Sequence, residues 1–177
     1  MPRITLIGYR GCGKSTVAER LAARLGCGWQ DADTVLEEEV GCTIADLVRG
    51  RGEPFFRDVE AALLAGQLSS YDGVLATGGG VVLRPANRIV LRQAYRPVVW
   101  LTAPVDVVRS RLAADPTTAA RRPALSGSDP LEEVAAAIAA REPLYRECAD
   151  HVIDTSRAGS DAVAEAIDAW LKREWSS

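Results

Sequence analysis

A chain of 177 residues with 47% apolar side chains can bury roughly 70% of its unfolded surface in one core, so a single domain over 1–177 is expected. A formal charge of −3 and a pI near 5.3 exclude an overall electrostatic grip on nucleic acid or an anionic membrane, leaving small molecules as the expected partners. Cys12, Cys27, Cys42 and Cys148 contain no Cys-x-x-Cys pair, and with the single His151 they form neither a recognisable zinc set nor a secreted disulfide framework. Reduced thiols in a cytoplasmic protein are expected, because "ITLIG" opens the chain as a strand and no segment approaches the length of a membrane span.

Taken in order, "RITLIG" reads as a buried strand, and "KSTVAERLAARLG" puts Val17, Leu21 and Leu25 on one helical face before a glycine stop. "WQDAD" ends a short strand. Residues 34 to 70 read as mostly helical, with Ile44, Leu47 and Val48 on one face and Gly50, Gly52 and Pro54 breaking the run. "GVLATGGG" (73 to 80) and "PVVWLTAP" (97 to 104) are further buried strands, each followed by a turn and a helical pattern. "DHVIDTS" (150 to 156) is the last strand, before a closing helix from about Ser160 to Lys172. Recurrent β then α predicts an α/β fold: a five-stranded parallel sheet with helices on both faces. Between them, "AADPTTAARRPALSGSDP" (113 to 130) has little to bury and two adjacent arginines, and it reads as a mobile lid.

Gly8-x-x-x-x-Gly13-Lys14-Ser15 matches the complete P-loop pattern, after a strand and before a helix as that pattern requires. Backbone N–H groups of Gly11, Cys12, Gly13 and the following residues through Thr16 would face phosphate oxygens at a helix N-terminus. Lys14 would reach the β and γ phosphates of ATP, and the Ser15 hydroxyl would meet Mg²⁺. Cys12 is expected to point outward as a small neutral side chain, and Arg10 is either a solvated loop arginine or a second cation near the ligands.

A second set of residues suggests the acceptor. Asp31 and Asp33 stand two apart near the end of a strand and are expected to face different ways. One would orient the metal ion through water and the other would bind or deprotonate a hydroxyl, unless both merely cap the following helix. Glu37, Glu38 and Glu39 read as a solvated helix face. Arg57 and Glu60 stand at i and i+3, where an ion pair fixes the guanidinium for a carboxylate or forms an ordinary surface pair. Gly78, Gly79 and Gly80 follow a strand at the sheet edge where such folds bind ligands, and their backbone N–H groups allow close approach. Arg121, Arg122 and Arg141 arrive from separate segments and could clamp an anion.

The ordered set GYRGCGKST, DAD, FRDVE, ATGGG, an arginine-proline lid and REPLY resembles the shikimate kinases, closest to the second of their two types, over nearly the whole chain. These belong to the P-loop small-molecule and nucleoside monophosphate kinases. The resemblance implies a P-loop NTPase three-layer sandwich with a small substrate-binding helical region (34–62) and a lid (113–130). It implies transfer of the ATP γ-phosphate to the 3-hydroxyl of shikimate, with Mg²⁺, in a cytoplasmic monomer. In that family's terms Lys14, Asp33 and Arg122 are catalytic, Ser15 and, through water, Asp31 hold the metal, and Arg57, Arg141, Gly78, Gly79 and Gly80 join Asp33 around shikimate. Arg111 and Arg157 lie beside adenine, and Arg122, with Arg121 next to it, is the lid arginine. The alternatives are another polyol-acid kinase, such as a gluconate kinase, and a silent nucleotide-binding module.

Overall fold

The computed structural model describes residues 4–94, 96–115 and 130–175, the side chains of 130–132 excepted. Five parallel strands form one sheet: β1 (Ile4–Ile7), β2 (Gly28–Asp31), β3 (Gly73–Ala76), β4 (Val98–Thr102) and β5 (His151–Asp154), in the order β2-β3-β1-β4-β5. The register aligns Leu6 with Ala76, Ile7 with Trp100, Asp31 with Ala76 and Thr102 with Asp154, bringing all five carboxyl ends to one edge.

Alternation along the strands feeds two cores. Ile4, Leu6, Val74, Ala76, Val99 and Leu101 meet α1 (Lys14–Leu25) and α8 (Ser160–Glu174) on one face. Leu75, Val98 and Trp100 meet α4 (Glu53–Ser70), α5 (Pro85–Gln93) and α7 (Pro130–Cys148) on the other. The predicted three layers therefore form because each central strand is apolar on both sides. A smaller core of Leu36, Ile44, Leu47 and Phe56 joins α2 (Ala32–Val40) and α3 (Ile44–Arg51) to the start of α4. The remaining helix, α6 (Val105–Ala114), follows β4, and a 3₁₀ turn (Val81–Leu83) follows the glycine triplet.

Local chemistry sets the boundaries. Gly26 takes φ 64° past α1, and Thr43 caps α3 through the Asp46 N–H. The helical run over 34–70 breaks at fewer places than its composition suggested. Of the three expected breakers only Gly52 (φ 83°) interrupts, Gly50 continuing α3 and Pro54 sitting in the first turn of α4, where its missing N–H has no intrahelical partner to lose, while Gly41 (φ 70°), not among them, ends α2. Glu37 also departs from the solvated face assigned to it, because its carboxylate accepts the Ile44 N–H at 3.0 Å and braces α3. At the opposite end of the sheet from the strand carboxyl ends, buried Arg96 donates to the carbonyls of Ile4, Gly73 and Tyr71 at 2.7, 3.0 and 3.3 Å.

Candidate active site

The loop between β1 and α1 wraps around the first residue of the helix. Lys14 is buried, and its Nζ donates to the carbonyls of Gly8 at 2.8 Å and Tyr9 at 3.0 Å, fixing the ammonium at the loop. Gly8 has φ 142°, and a Cβ there would collide with the Leu101 carbonyl oxygen, so the chain leaves β1 on a path closed to other residues. Cys12 does not point outward as expected. It is buried in the core against α1 and β4, and burial pushes its thiol pKa up although Lys14 and Arg111 pull the other way, which keeps it neutral and unreactive.

Ser15 lies one helical position further, and its hydroxyl donates to the Asp31 carboxylate. The other Asp31 oxygen accepts the N–H groups of Asp33 at 3.0 Å and Thr34 at 3.3 Å, so this residue caps α2 and faces the phosphate loop at once. The expectation that Asp31 and Asp33 face different ways has no basis in strand geometry, since residues two apart on a strand share a face; here β2 ends at Asp31 and Asp33 lies in α2, with the Asp31 carboxylate at Ser15 and that of Asp33 beside Gly78. The pairing of a hydroxyl with a carboxylate is a hard oxygen set of the kind Mg²⁺ accepts while keeping water and phosphate oxygens. Among the described residues no group of three or more His, Cys, Asp or Glu could hold a metal.

The glycine turn after β3 is surrounded by charged side chains. A Cβ on Gly78 would lie 2.6 Å from an Asp33 carboxylate oxygen and 3.0 Å from Glu60 Oε1, and one on Gly80 would lie 2.7 Å from the Arg57 guanidinium carbon. Arg57 is far from a surface pair: it is buried, donates to Glu60 at 2.8 Å and Glu53 at 3.1 Å, and lies over the Phe56 ring. Burial opposes its charge, but the two carboxylates outweigh it and raise its pKa above the usual arginine value. Glu60 Oε1, by contrast, is buried without a hydrogen-bond partner among the described residues. From α7, Arg141 donates to the Gly79 carbonyl at 3.2 Å, and the Tyr145 hydroxyl donates to the same oxygen. Burial raises the Tyr145 pKa, so that hydroxyl stays protonated and donates. Both Arg141 and Arg10 flank the Tyr9 ring, with guanidinium carbons 5.2 and 5.8 Å from its centre, which puts Arg10 at the junction of the two loops.

A basic and glycine-lined cradle beside a complete P-loop is now matched by independent comparison. The family model for shikimate kinase covers residues 10–172. The chain belongs to the shikimate kinase family. Within it, the shikimate kinase of Oleidesulfovibrio alaskensis is 41% identical over 167 residues, spanning 94% of this chain and 96% of the relative. That of Nitratidesulfovibrio vulgaris is 46% identical over 151 residues, 85% of each chain. A solved shikimate kinase from Acinetobacter baumannii in complex with shikimate superposes with a TM-score of 0.90 at 34% identity, covering 99% of this chain and 96% of that one.

In this shikimate kinase family member Arg111, near the end of α6, donates to the carbonyl of Gly11 at 3.3 Å and to the hydroxyl and carbonyl of Thr155 at 2.9 and 2.7 Å. Arg157 is exposed, with its Nε 3.7 Å from the Asp154 carboxylate. Gly13 and Thr16 lie where the motif expects them, at the start of α1, with Thr16 exposed. Arg121, Arg122 and most of the expected lid at 113–130 lie outside the described residues. Sequence reasoning missed Glu53, Tyr145 and Thr155. Glu53 was discoverable, since it stands four residues before Arg57 on the same helix.

Proposed function

We infer that this chain transfers the γ-phosphate of ATP to the 3-hydroxyl of shikimate, giving shikimate 3-phosphate and ADP, as a cytoplasmic monomer with no nucleic-acid or membrane partner. One observation carries the reading: the two loops that would bind donor and acceptor leave adjacent strands, β1 and β3, and a Cβ on Gly79 would lie 3.1 Å from the Arg10 backbone nitrogen. Phosphate held at Lys14 is then within reach of a hydroxyl held at Asp33.

The roles follow from charge. Arg57, fixed by Glu60 and Glu53, and Arg141, fixed at Gly79, grip the shikimate carboxylate, and the N–H groups of Gly79 and Gly80 line its ring. Asp33, set against Gly78, accepts the hydrogen bond of the attacking hydroxyl and takes its proton as the new P–O bond forms and the bond to the β-phosphate oxygen breaks. Buried Glu60 Oε1 is open to a further substrate hydroxyl. Lys14 and the loop N–H groups hold the phosphates and stabilise the charge that spreads over the transferring group, and Arg122 adds a cation to it from the lid. Ser15 and, through water, Asp31 would hold Mg²⁺, which would supply charge neutralisation to the phosphates.

The test is ADP release from ATP and Mg²⁺, coupled to NADH oxidation, with shikimate, quinate, gluconate, AMP and CMP as parallel acceptors. Turnover with shikimate alone is expected. Turnover with gluconate or a nucleotide instead would discard the acceptor roles while keeping the phosphate loop, and ATP binding without turnover on any of them would leave a non-catalytic module.

A further inference from the structure

Thr155 follows β5 and is buried, yet its polar atoms serve three separate parts of the fold. Its N–H donates to the Thr102 carbonyl at 2.8 Å, joining the carboxyl ends of β5 and β4. Its hydroxyl lies 3.1 Å from the Cys12 carbonyl in the phosphate loop and 3.3 Å from the Thr102 carbonyl, and donates its one proton there. The same oxygen accepts from Arg111 at 2.9 Å, and the Thr155 carbonyl accepts from that guanidinium at 2.7 Å. With the Gly11 carbonyl at 3.3 Å from the same Arg111 nitrogen, both terminal nitrogens of the arginine are engaged in the guanidinium plane. What such an arginine offers a ligand is its flat face.

Direction follows from topology. The acceptor cradle lies on the β3 side of β1, so a nucleotide whose γ-phosphate points there must extend its base the opposite way, over the ends of β4 and β5. Arg111 and Thr155 stand on that side. We propose that Thr155 is a positioning residue for the purine of the nucleotide, holding the Arg111 guanidinium and the Cys12 peptide of the phosphate loop in one fixed relation. It acts through Arg111 and makes no demand on the acceptor. This rests on ATP being the phosphate donor.

The test compares wild type with Thr155→Val, which keeps the shape and removes the hydroxyl, and Thr155→Ser, which restores it, measuring MgADP affinity by calorimetry and steady-state KM for ATP and for shikimate. Loss of charge-assisted hydrogen bonds of this type predicts about a 10-fold rise in the MgADP Kd and the ATP KM of Thr155→Val, with the shikimate KM unchanged and Thr155→Ser close to wild type. In an Arg111→Ala background the Val substitution should add little, because it acts through a side chain already gone. Arg111→Lys, which keeps the charge but loses the planar fork, should reproduce the loss even if Thr155→Val folds poorly. Equal MgADP affinity in Thr155→Val and wild type, an equal rise in both KM values, or full additivity with Arg111→Ala overturns the proposal alone. Wild type that binds no MgADP overturns the functional reading and this proposal with it.

Discussion

Gly80→Ala tests the acceptor cradle with one methyl group. Gly80 has φ −96° and ψ 0°, which alanine adopts without backbone strain, so the effect must come from what the methyl meets. It meets Arg57: the added carbon would overlap one terminal nitrogen and lie 2.6 Å from the other, where about 3.5 Å is comfortable. A long arginine usually yields to such a push, but this one is buried, backed by Phe56 and tied to Glu60 at 2.8 Å and Glu53 at 3.1 Å. Retreat by about an ångström stretches the pair with Glu60, whose side chain is itself buried. Removing a partner from a buried charge pair costs about 3–5 kcal/mol, and displacing it without removing it should cost about 2. That corresponds to roughly a 30-fold fall in kcat/KM for shikimate, expressed mainly in KM if Arg57 binds ground state and transition state alike. Coupled ADP-release kinetics with each substrate varied in turn, together with a melting curve, separate this from general damage. The ATP KM should stay within twofold. A shikimate kcat/KM within threefold of wild type would mean that the Arg57 position does not govern the acceptor, and the assignment of Arg57 would fail.

Arg96→Leu strands three carbonyl acceptors at the amino end of the sheet, and a loss of about 3 kcal/mol should lower the melting temperature by roughly 6–12 °C while leaving both KM values alone; altered kinetics at unchanged stability would contradict that purely structural role. Trp100 stacks on Tyr145 with ring centres 5.7 Å apart, and Tyr145 donates to Gly79, so shikimate should change the emission of the parent and of Trp29→Phe but not of Trp100→Phe; a signal lost in Trp29→Phe instead would break that link. His151, stacked on Trp170 and the only histidine, has its pKa lowered by burial and by Arg173. The unfolded chain therefore takes up this proton first, and stability should fall as pH drops through about 6.5 toward the lower folded value. Melting curves between pH 7.5 and 5.5 should show that slope in the parent and a flatter one in His151→Phe; identical slopes would refute it.

Much of the site was legible because its chemistry depends on residue type at fixed spacing. A P-loop needs its glycines, lysine and serine at set intervals, and the three successive glycines after β3 announce a close approach whatever approaches. The missed relations depend on where one element stops and another begins. Asp31 and Asp33 were read on one strand, but a helix starts at Ala32, a boundary that no periodicity over so few residues can fix. Glu37 looked solvated because its partner, the Ile44 N–H, lies across a turn. Cys12 looked like a loop side chain, and its burial follows from the path the loop takes away from β1. Thr155 was invisible for a different reason: every one of its partners is distant in sequence, and a lone threonine after a strand carries no pattern.

The strand order gives the molecule a division of labour. On the proposed roles, the strand that carries the phosphate loop has the acceptor loop on one neighbour and the nucleotide-side residues on the other, which would set the two specificities on opposite flanks of a shared centre. Rewriting α2–α4 and the turn after β3 could change which alcohol is phosphorylated without disturbing the parts that deliver phosphate, and rewriting the ends of β4 and β5 could change the donor just as independently. A sheet so arranged is a chassis on which one kinase can become another by editing a single side.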